Sequence, residues 1–354
     1  MTPALMVKLR PAGPWRTGPD SGARNRVDPI YHSDSLYAAV TAAMSALGRR
    51  NEWLEATARN PAGPAVRFSS CFPFVNGVDF IVPPRSIWPP FAPVSAKVRW
   101  KSARFIPLSL VPALLRGEPL QEDRWTADGG SECLLAAGQA GPFRTAVRSN
   151  AAIDRLTGGA ERHATACMEF RQDAGLWALA SFADEAAGAR WLDLVRGAFR
   201  LLADSGFGGE RSRGWGRSAE PEFVTGTLPE MIVPAVAPPE QADAETPENV
   251  AAETPVEPAA TSHWLLSLFS PGPEDAVDWT RGNYTVVTRG GRVESPAGFG
   301  EAKKQLQMVA EGSVLVAGET IHGAAPDVAP DGFAHPVFRA GFALSIPLPA
   351  QVPA

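Results

Sequence analysis

The run Gly206-Phe207-Gly208-Gly209-Glu210-Arg211-Ser212-Arg213-Gly214-Trp215-Gly216 is the stretch whose residue types point most directly to chemistry. Five glycines in eleven residues remove the Cβ atoms that hold a backbone away from a ligand. The amides of Gly208 and Gly209 can then approach phosphates, with Arg211 and Arg213 supplying positive charge. Gly206, Ser212 and Gly214 belong to the same candidate contact. An equally simple reading is a mobile turn whose glycines serve only positive φ angles, and both stay open at this point. No Gly-Lys-Ser/Thr opens a helix here and the run follows a helix rather than a strand, so it is neither a P-loop nor a Rossmann fingerprint.

A second cluster is His32-Ser33-Asp34-Ser35. It supplies a general base in His32 or a nucleophile in Ser33, but Ser and Asp at a helix start also act as a cap or meet an anion at the positive helix end. Further along, Lys97, Arg99, Lys101 and Arg104 alternate with Trp100 and Phe105. Arg144, Arg148, Arg155 and Arg162 surround an expected hairpin through Ile153-Asp154-Arg155-Leu156-Thr157-Gly158-Gly159. Cations beside aromatics suit a single nucleic-acid strand; a solvated face has the same composition. His163 and Cys167 would share a metal only on a helix, and no second pair completes a site. Cys71, Cys133 and Cys167 show no Cys-x-x-Cys spacing and read as buried thiols, so neither metal nor cofactor is expected.

The elements that must carry these residues follow from periodicity. Ala4 to Leu9 reads as a strand, and Ser33 to Leu47 as a helix with Leu36, Val40, Met44 and Leu47 on one face. Strands are expected over Ala65 to Cys71, Val78 to Val82 and Leu176 to Phe182. A helix follows from Asp184 to Asp204 that buries Leu192, Val195, Phe199 and Leu202 and stops at Gly206, and then a strand over Ser218 to Val224. That order is the ferredoxin-like, or RRM-like, arrangement, with an insertion over 83–175 between its halves. The segment 229–261 holds seven prolines, seven acids and no aromatic residue, and reads as an acidic linker. Beyond it, 262–354 forms a second, smaller α+β unit with strands at His263 to Phe269, Tyr284 to Thr288, Gly312 to Val316 and Val337 to Ile346. A short helix is expected over Glu301 to Ala310.

Composition bounds the rest. The chain has 354 residues, 45% hydrophobic and 20% charged, enough for two packed units. The 34 prolines and 33 glycines argue against a helical solenoid. Lys8 and Arg10 interrupt the first residues before a signal-peptide core develops, and no apolar run reaches membrane-spanning length, so the cytoplasm is the expected address. The net charge of -5 conceals a split: 1–228 carries 27 Lys and Arg against 22 acids, while 229–261 carries seven acids and no cation. The cations of 1–228 are nearly all Arg, whose planar fork suits phosphate and stacks on bases; a genomic composition bias would also produce the excess.

Taken in order, His32-Ser33-Asp34-Ser35-Leu36-Tyr37, Ile153-Asp154-Arg155-Leu156-Thr157-Gly158 and the Gly206 to Gly216 loop resemble the RAMP superfamily of CRISPR proteins. Leu266-Ser267-Leu268-Phe269 with Pro271, Lys303-Lys304 with Met308, Glu311-Gly312-Ser313, and His335-Pro336-Val337-Phe338-Arg339 with Gly341 narrow the resemblance to the fourth-subunit family of type III-A Csm effectors. The resemblance implies an α+β chain of two ferredoxin-like domains with a thumb-like insertion. It implies a non-catalytic subunit that caps the crRNA 5′ end, grips the repeat-derived handle and joins the large polymerase-like subunit to the backbone subunit. His32, Ser33 and the glycine-rich loop would line the handle groove, the segment Ile153 to Gly159 would belong to the thumb, and Lys97, Lys101, Arg148 and Arg155 would add RNA contacts. Related RAMP proteins cut RNA, so a repeat endoribonuclease with His32 as general base is the alternative. Glu210 stands where such proteins often carry a basic residue, and the acidic linker is longer than the family needs.

Overall fold

The computed structural model describes residues 1–19, 22–90, 99–234, 260–295 and 298–349. Lys97 and most of the acidic linker (235–259) lie outside the described residues.

Alternation of apolar residues builds the first sheet. In the strand Thr2–Leu9, Leu5, Val7 and Leu9 point to one side and Ala4 and Met6 to the other. This strand lies antiparallel between Glu222–Leu228 and Ala174–Phe182, and the latter pairs in turn with Val66–Phe68 and Phe72–Val75. Numbered along the chain, the four principal strands run fourth, first, third, second across the sheet, the ferredoxin-like order. The helices Ser33–Ala46 and Glu185–Ser205 cover the Leu5 side. Asp184 caps the long helix by accepting from the Ala187 amide at 2.7 Å, and Gly206 ends it with φ +94°.

The buried stripe of the long helix is Trp191, Val195, Phe199 and Leu202. Its phase differs by one residue at the start from the expected one: Trp191, not Leu192, is fully buried, because it meets Trp53 edge-on at 5.4 Å. Trp53 belongs to a short helix, Arg50–Ala56, whose polar composition hid it from periodicity. Leu47 is the other departure, 42% exposed just past the end of its helix.

The second unit repeats the strand order without the helices. Thr261–Leu265, Val277–Asn283, Val314–Ala317 and Ser345–Leu348 run second, third, first, fourth across an antiparallel sheet, the same ladder read from the other edge. Among the described residues of this unit there is no α-helix. The helix expected over Glu301 to Ala310 is two strands instead, Gly298–Ala302 and Leu306–Val309; the latter pairs with Val286–Arg289. Where a helix would have covered this sheet, the first unit does so. Trp264, Val314 and Ile346 join one core with Met6, Trp177 and Leu179, so the two sheets pack face to face and the central strand Ala174–Phe182 is buried along its whole length. The linker's first residues also enter this core: Ile232 is buried and Met231 and Val233 pack against it.

The insertion carries one long hairpin, Phe143–Ile153 paired with Ala160–Phe170, turning at Asp154 to Gly159. Its base is anchored by Phe143, Met168 and Phe170, while Ile153 and Leu156 at the tip are exposed.

Candidate nucleic-acid interface

The glycine-rich loop is built for close backbone packing. A Cβ on Gly208 would stand 2.4 Å from the Arg16 carbonyl oxygen, and one on Gly216 would stand 2.0 Å from that of Phe207. Its amides are already engaged: that of Gly209 donates to the Arg16 carbonyl at 2.9 Å and that of Gly216 to Pro14 at 2.9 Å, while the Gly208 backbone bonds the Tyr31 hydroxyl. The expected clasp of Gly208 and Gly209 amides on phosphate is therefore not how this loop is arranged. Phe207 is its anchor, buried and stacked on Trp15 at 5.2 Å. Arg16 fixes the neighbouring segment, its guanidinium donating to the carbonyls of Ala23, Arg24, Arg26 and Ala166.

So anchored, the loop presents side chains rather than amides. Arg211 reaches Glu294 of the second unit at 2.5 Å. Arg213 pairs with Glu210 at 2.9 Å and approaches His163 of the long hairpin at 3.3 Å. Gly206 lines the groove described below, while Ser212 is exposed and Gly214 is half-buried with open space where a Cβ would stand. His163 lies on a strand, where four residues span about 13 Å, so it and Cys167 cannot share a metal.

Two adjoining concavities of about 780 and 490 Å³ form one open groove between the units. Its wall is the small-residue face of the first helix, Ser35, Ala38, Ala39 and Ala42, opposite to the Leu36, Val40, Met44 stripe. Arg211, Arg292 and Lys303 line the groove, with Glu294 among them. Lys303 forms no ion pair among the described residues, and burial together with the charge of Arg339 lowers its pKa. Sequence reasoning missed Arg292 and Lys303. Lys303 falls in the segment expected to be helical, and Arg292 reaches the groove only through the face-to-face packing.

Of the His32 cluster, Asp34 and Ser35 line this groove, while His32 and Ser33 lie beneath it. His32 is 4% exposed; its Nδ1 is 2.7 Å from Glu311 Oε1 and its Nε2 is 3.0 Å from Asp28 Oδ2. Burial opposes its charge, but Glu311 and Asp28 outweigh that, and its pKa is pushed up to about 9. A charged imidazole with both nitrogens held is not poised as a general base. Ser33 does not cap its helix; its hydroxyl accepts from the Leu268 amide at 3.0 Å, and His32 occupies the cap position without a side-chain cap bond. Asp34 is buried, and although burial disfavours its charge, Arg289 (2.9 Å) and Arg339 hold its pKa below the usual carboxylate range. The motif thus bolts the first unit to the second.

The remaining candidates are dispersed. Arg148, with Arg144, pairs with Glu169 on the hairpin stem, and Arg155 is exposed at its tip. Lys101 is exposed beside the buried Trp100 and does not line the groove.

Two ferredoxin-ordered sheets thus pack face to face, with a groove along the helix of the first. Residues 259–348 match the family model of the CRISPR Csm4 C-terminal domain. The chain shares its fold with a crystal structure of a Csm3-Csm4 subcomplex in the type III-A CRISPR-Cas interference complex, at TM-score 0.59 and 16% identity over 97% of this chain and 99% of that one. It shares it also with a Csm1-Csm4 cassette in complex with cA4, at TM-score 0.55 and 16% identity over 98% of each chain. No curated protein matches in sequence. The carboxy-terminal unit is thus similar to the Csm4 C-terminal domain, and the chain as a whole shares the fold of chains from these Csm4-containing complexes.

Proposed function

We propose that the chain is the crRNA-binding subunit of a type III-A Csm interference complex. It holds the 5′ handle in the groove between its two units and links the large polymerase-like subunit to the backbone subunit. The observation that carries this reading is the groove itself: an open channel walled by alanines, which leave room for a strand, and lined by Arg211, Arg292 and Lys303 against the single acidic side chain of Glu294 in its wider part. The solved structures of the same fold come from assemblies named Csm1-Csm4 and Csm3-Csm4, which supports the two partner contacts. The long hairpin, with Arg148 and Arg155 along it and Arg213 at its side, is suited to act as the thumb.

We read the subunit as non-catalytic, supported by the burial of His32 between two carboxylates. The test is titration of handle RNA with the full chain at several salt concentrations. Replacing Arg211, Arg292 and Lys303 by alanine is expected to flatten the log-log salt slope by about 0.7 per lost phosphate contact. An unchanged slope removes the groove from this role, and metal-independent RNA cleavage lost in His32→Ala would favour the endoribonuclease.

A further inference from the structure

A third concavity, of about 480 Å³, shares no residue with the groove. It lies where the two sheets meet at one end, between Thr2, Arg67 and Ser181 of the first unit and Thr261, His263 and Ser345 of the second. Its size falls within the roughly 300 to 1,000 Å³ usual for small-molecule sites.

Two polar side chains in its wall are incomplete. His263 is 6% exposed, and its Nε2 has no hydrogen-bond partner. The ring bonds the backbone of Glu319, and burial lowers its pKa, so the imidazole is neutral, donates to that carbonyl and presents a lone pair on Nε2. Arg67 Nε is likewise buried without a partner, while its Nη2 lies 2.6 Å from His322 Nδ1. Burial lowers the Arg67 pKa against the favourable charge of Asp275, which makes no ion pair with it; the Asp275 oxygens accept from the amides of Gly272, His322 and Gly323. A half-buried guanidinium whose Nε is unpaired and which makes no ion pair among the described residues favours a bound anion.

The complementary group must accept from Arg67 and offer an O–H to His263. A carboxylate at neutral pH has no O–H, whereas a phosphate monoester, with its second ionisation near 6, keeps a monoanionic fraction whose O–H a lone pair on Nε2 would select. Leu228, Ile321, Leu344 and Ile346 in the same wall provide an apolar surface for the body of such a molecule, and the volume exceeds what a bare ion needs.

We propose that this seam pocket binds a small phosphate monoester of mononucleotide size, its phosphate held by Arg67 and His263 and its body against the apolar wall. The proposal is independent of the RNA-binding reading, since the two sites share no residue. The test is calorimetric titration of the full chain with adenosine 5′-monophosphate, adenosine and inorganic phosphate. One-to-one binding of the monophosphate and none of adenosine is expected, with at least about a tenfold loss in Arg67→Gln and His263→Phe, as removal of a charge-assisted hydrogen bond or its partner predicts. Thr320→Trp, at the exposed rim, should block the mouth without touching the core, and handle-RNA affinity should be unchanged in all three variants. No binding of the monophosphate, or binding that survives Thr320→Trp or both wall substitutions, overturns the proposal. Binding of inorganic phosphate alone overturns the monoester assignment.

Discussion

At Gly216 the backbone takes φ +81° and an added Cβ would fall 2.0 Å from a carbonyl oxygen, so neither conformation nor space admits a side chain. Gly216→Ala should therefore lower the thermal midpoint markedly, by about 2 kcal/mol or more in stability. Gly214→Ala, with open space around its Cβ, should meet only the φ penalty of about 1 kcal/mol; thermal unfolding of the pair compares them directly. The glycine run was legible as a special backbone, but its purpose was not: an amide available to a ligand and an amide bonded to Arg16 have the same sequence. His32 makes the same point more sharply. Its position before a helix was plain, whereas Glu311, its partner 279 residues away, carries no local signal. His32→Ala leaves Asp28 and Glu311 without their shared cation, and breaking such a buried arrangement costs about 3–5 kcal/mol. Chemical denaturation of the variant measures it.

The first helix works with two faces. Leu36, Val40 and Met44 fix it to the sheet, and the alanines opposite leave the groove open. The double substitution Ala38→Leu and Ala42→Leu keeps helix propensity nearly constant, since leucine ranks close to alanine, and both sites are exposed. Stability is expected to change by less than about 1 kcal/mol while handle-RNA affinity falls at least about tenfold by occlusion. Equal affinity in both proteins would exclude this wall from RNA contact. The long helix offers the contrasting case: Trp191→Ala should cost about 3–5 kcal/mol, because the ring is enclosed by Trp53 and the core. Amphipathic helices of this kind were read correctly to within a residue or two. The stretch Glu301 to Ala310 was misread because its short apolar pattern fits either period, and pairing with Val286–Arg289 decided in favour of strand.

At the scale of the whole molecule, two charged clusters among the described residues join the units: His32 with Asp28 and Glu311, and Asp34 with Arg289 and Arg339. Because the folded-state pKa of His32 is raised from 6.5 to about 9, its stabilisation is full below about pH 6.5 and is lost as pH rises through about 9. Glu311 acts in the other direction: although burial disfavours its charge, His32 and Ser70 hold its pKa below 4.5, so its contribution is present above that value and fades as pH falls beneath it. Thermal midpoints are expected to be highest between about pH 5 and 6.5 and to decline toward about pH 9, and His32→Gln should remove most of the alkaline decline. A flat profile from pH 6 to 9 in the parent protein would contradict this account.

Local pattern alone determined the first strand, the two long helices and the strand Ala174–Phe182 of the first unit, since period depends on neighbouring residues; it did not mark the short helix Arg50–Ala56 or the strand Phe72–Val75. It also marked 229–261 by composition as a segment apart. Three things were decided only by tertiary structure. One is the covering of one sheet by the other in place of helices; another is the inward turn of the His32 motif; the third is the joining of Arg292 and Lys303 to Arg211 along one groove. Each depends on contacts between residues far apart in the chain, and burial, charge pairing and steric room are properties of those contacts rather than of any short stretch of sequence.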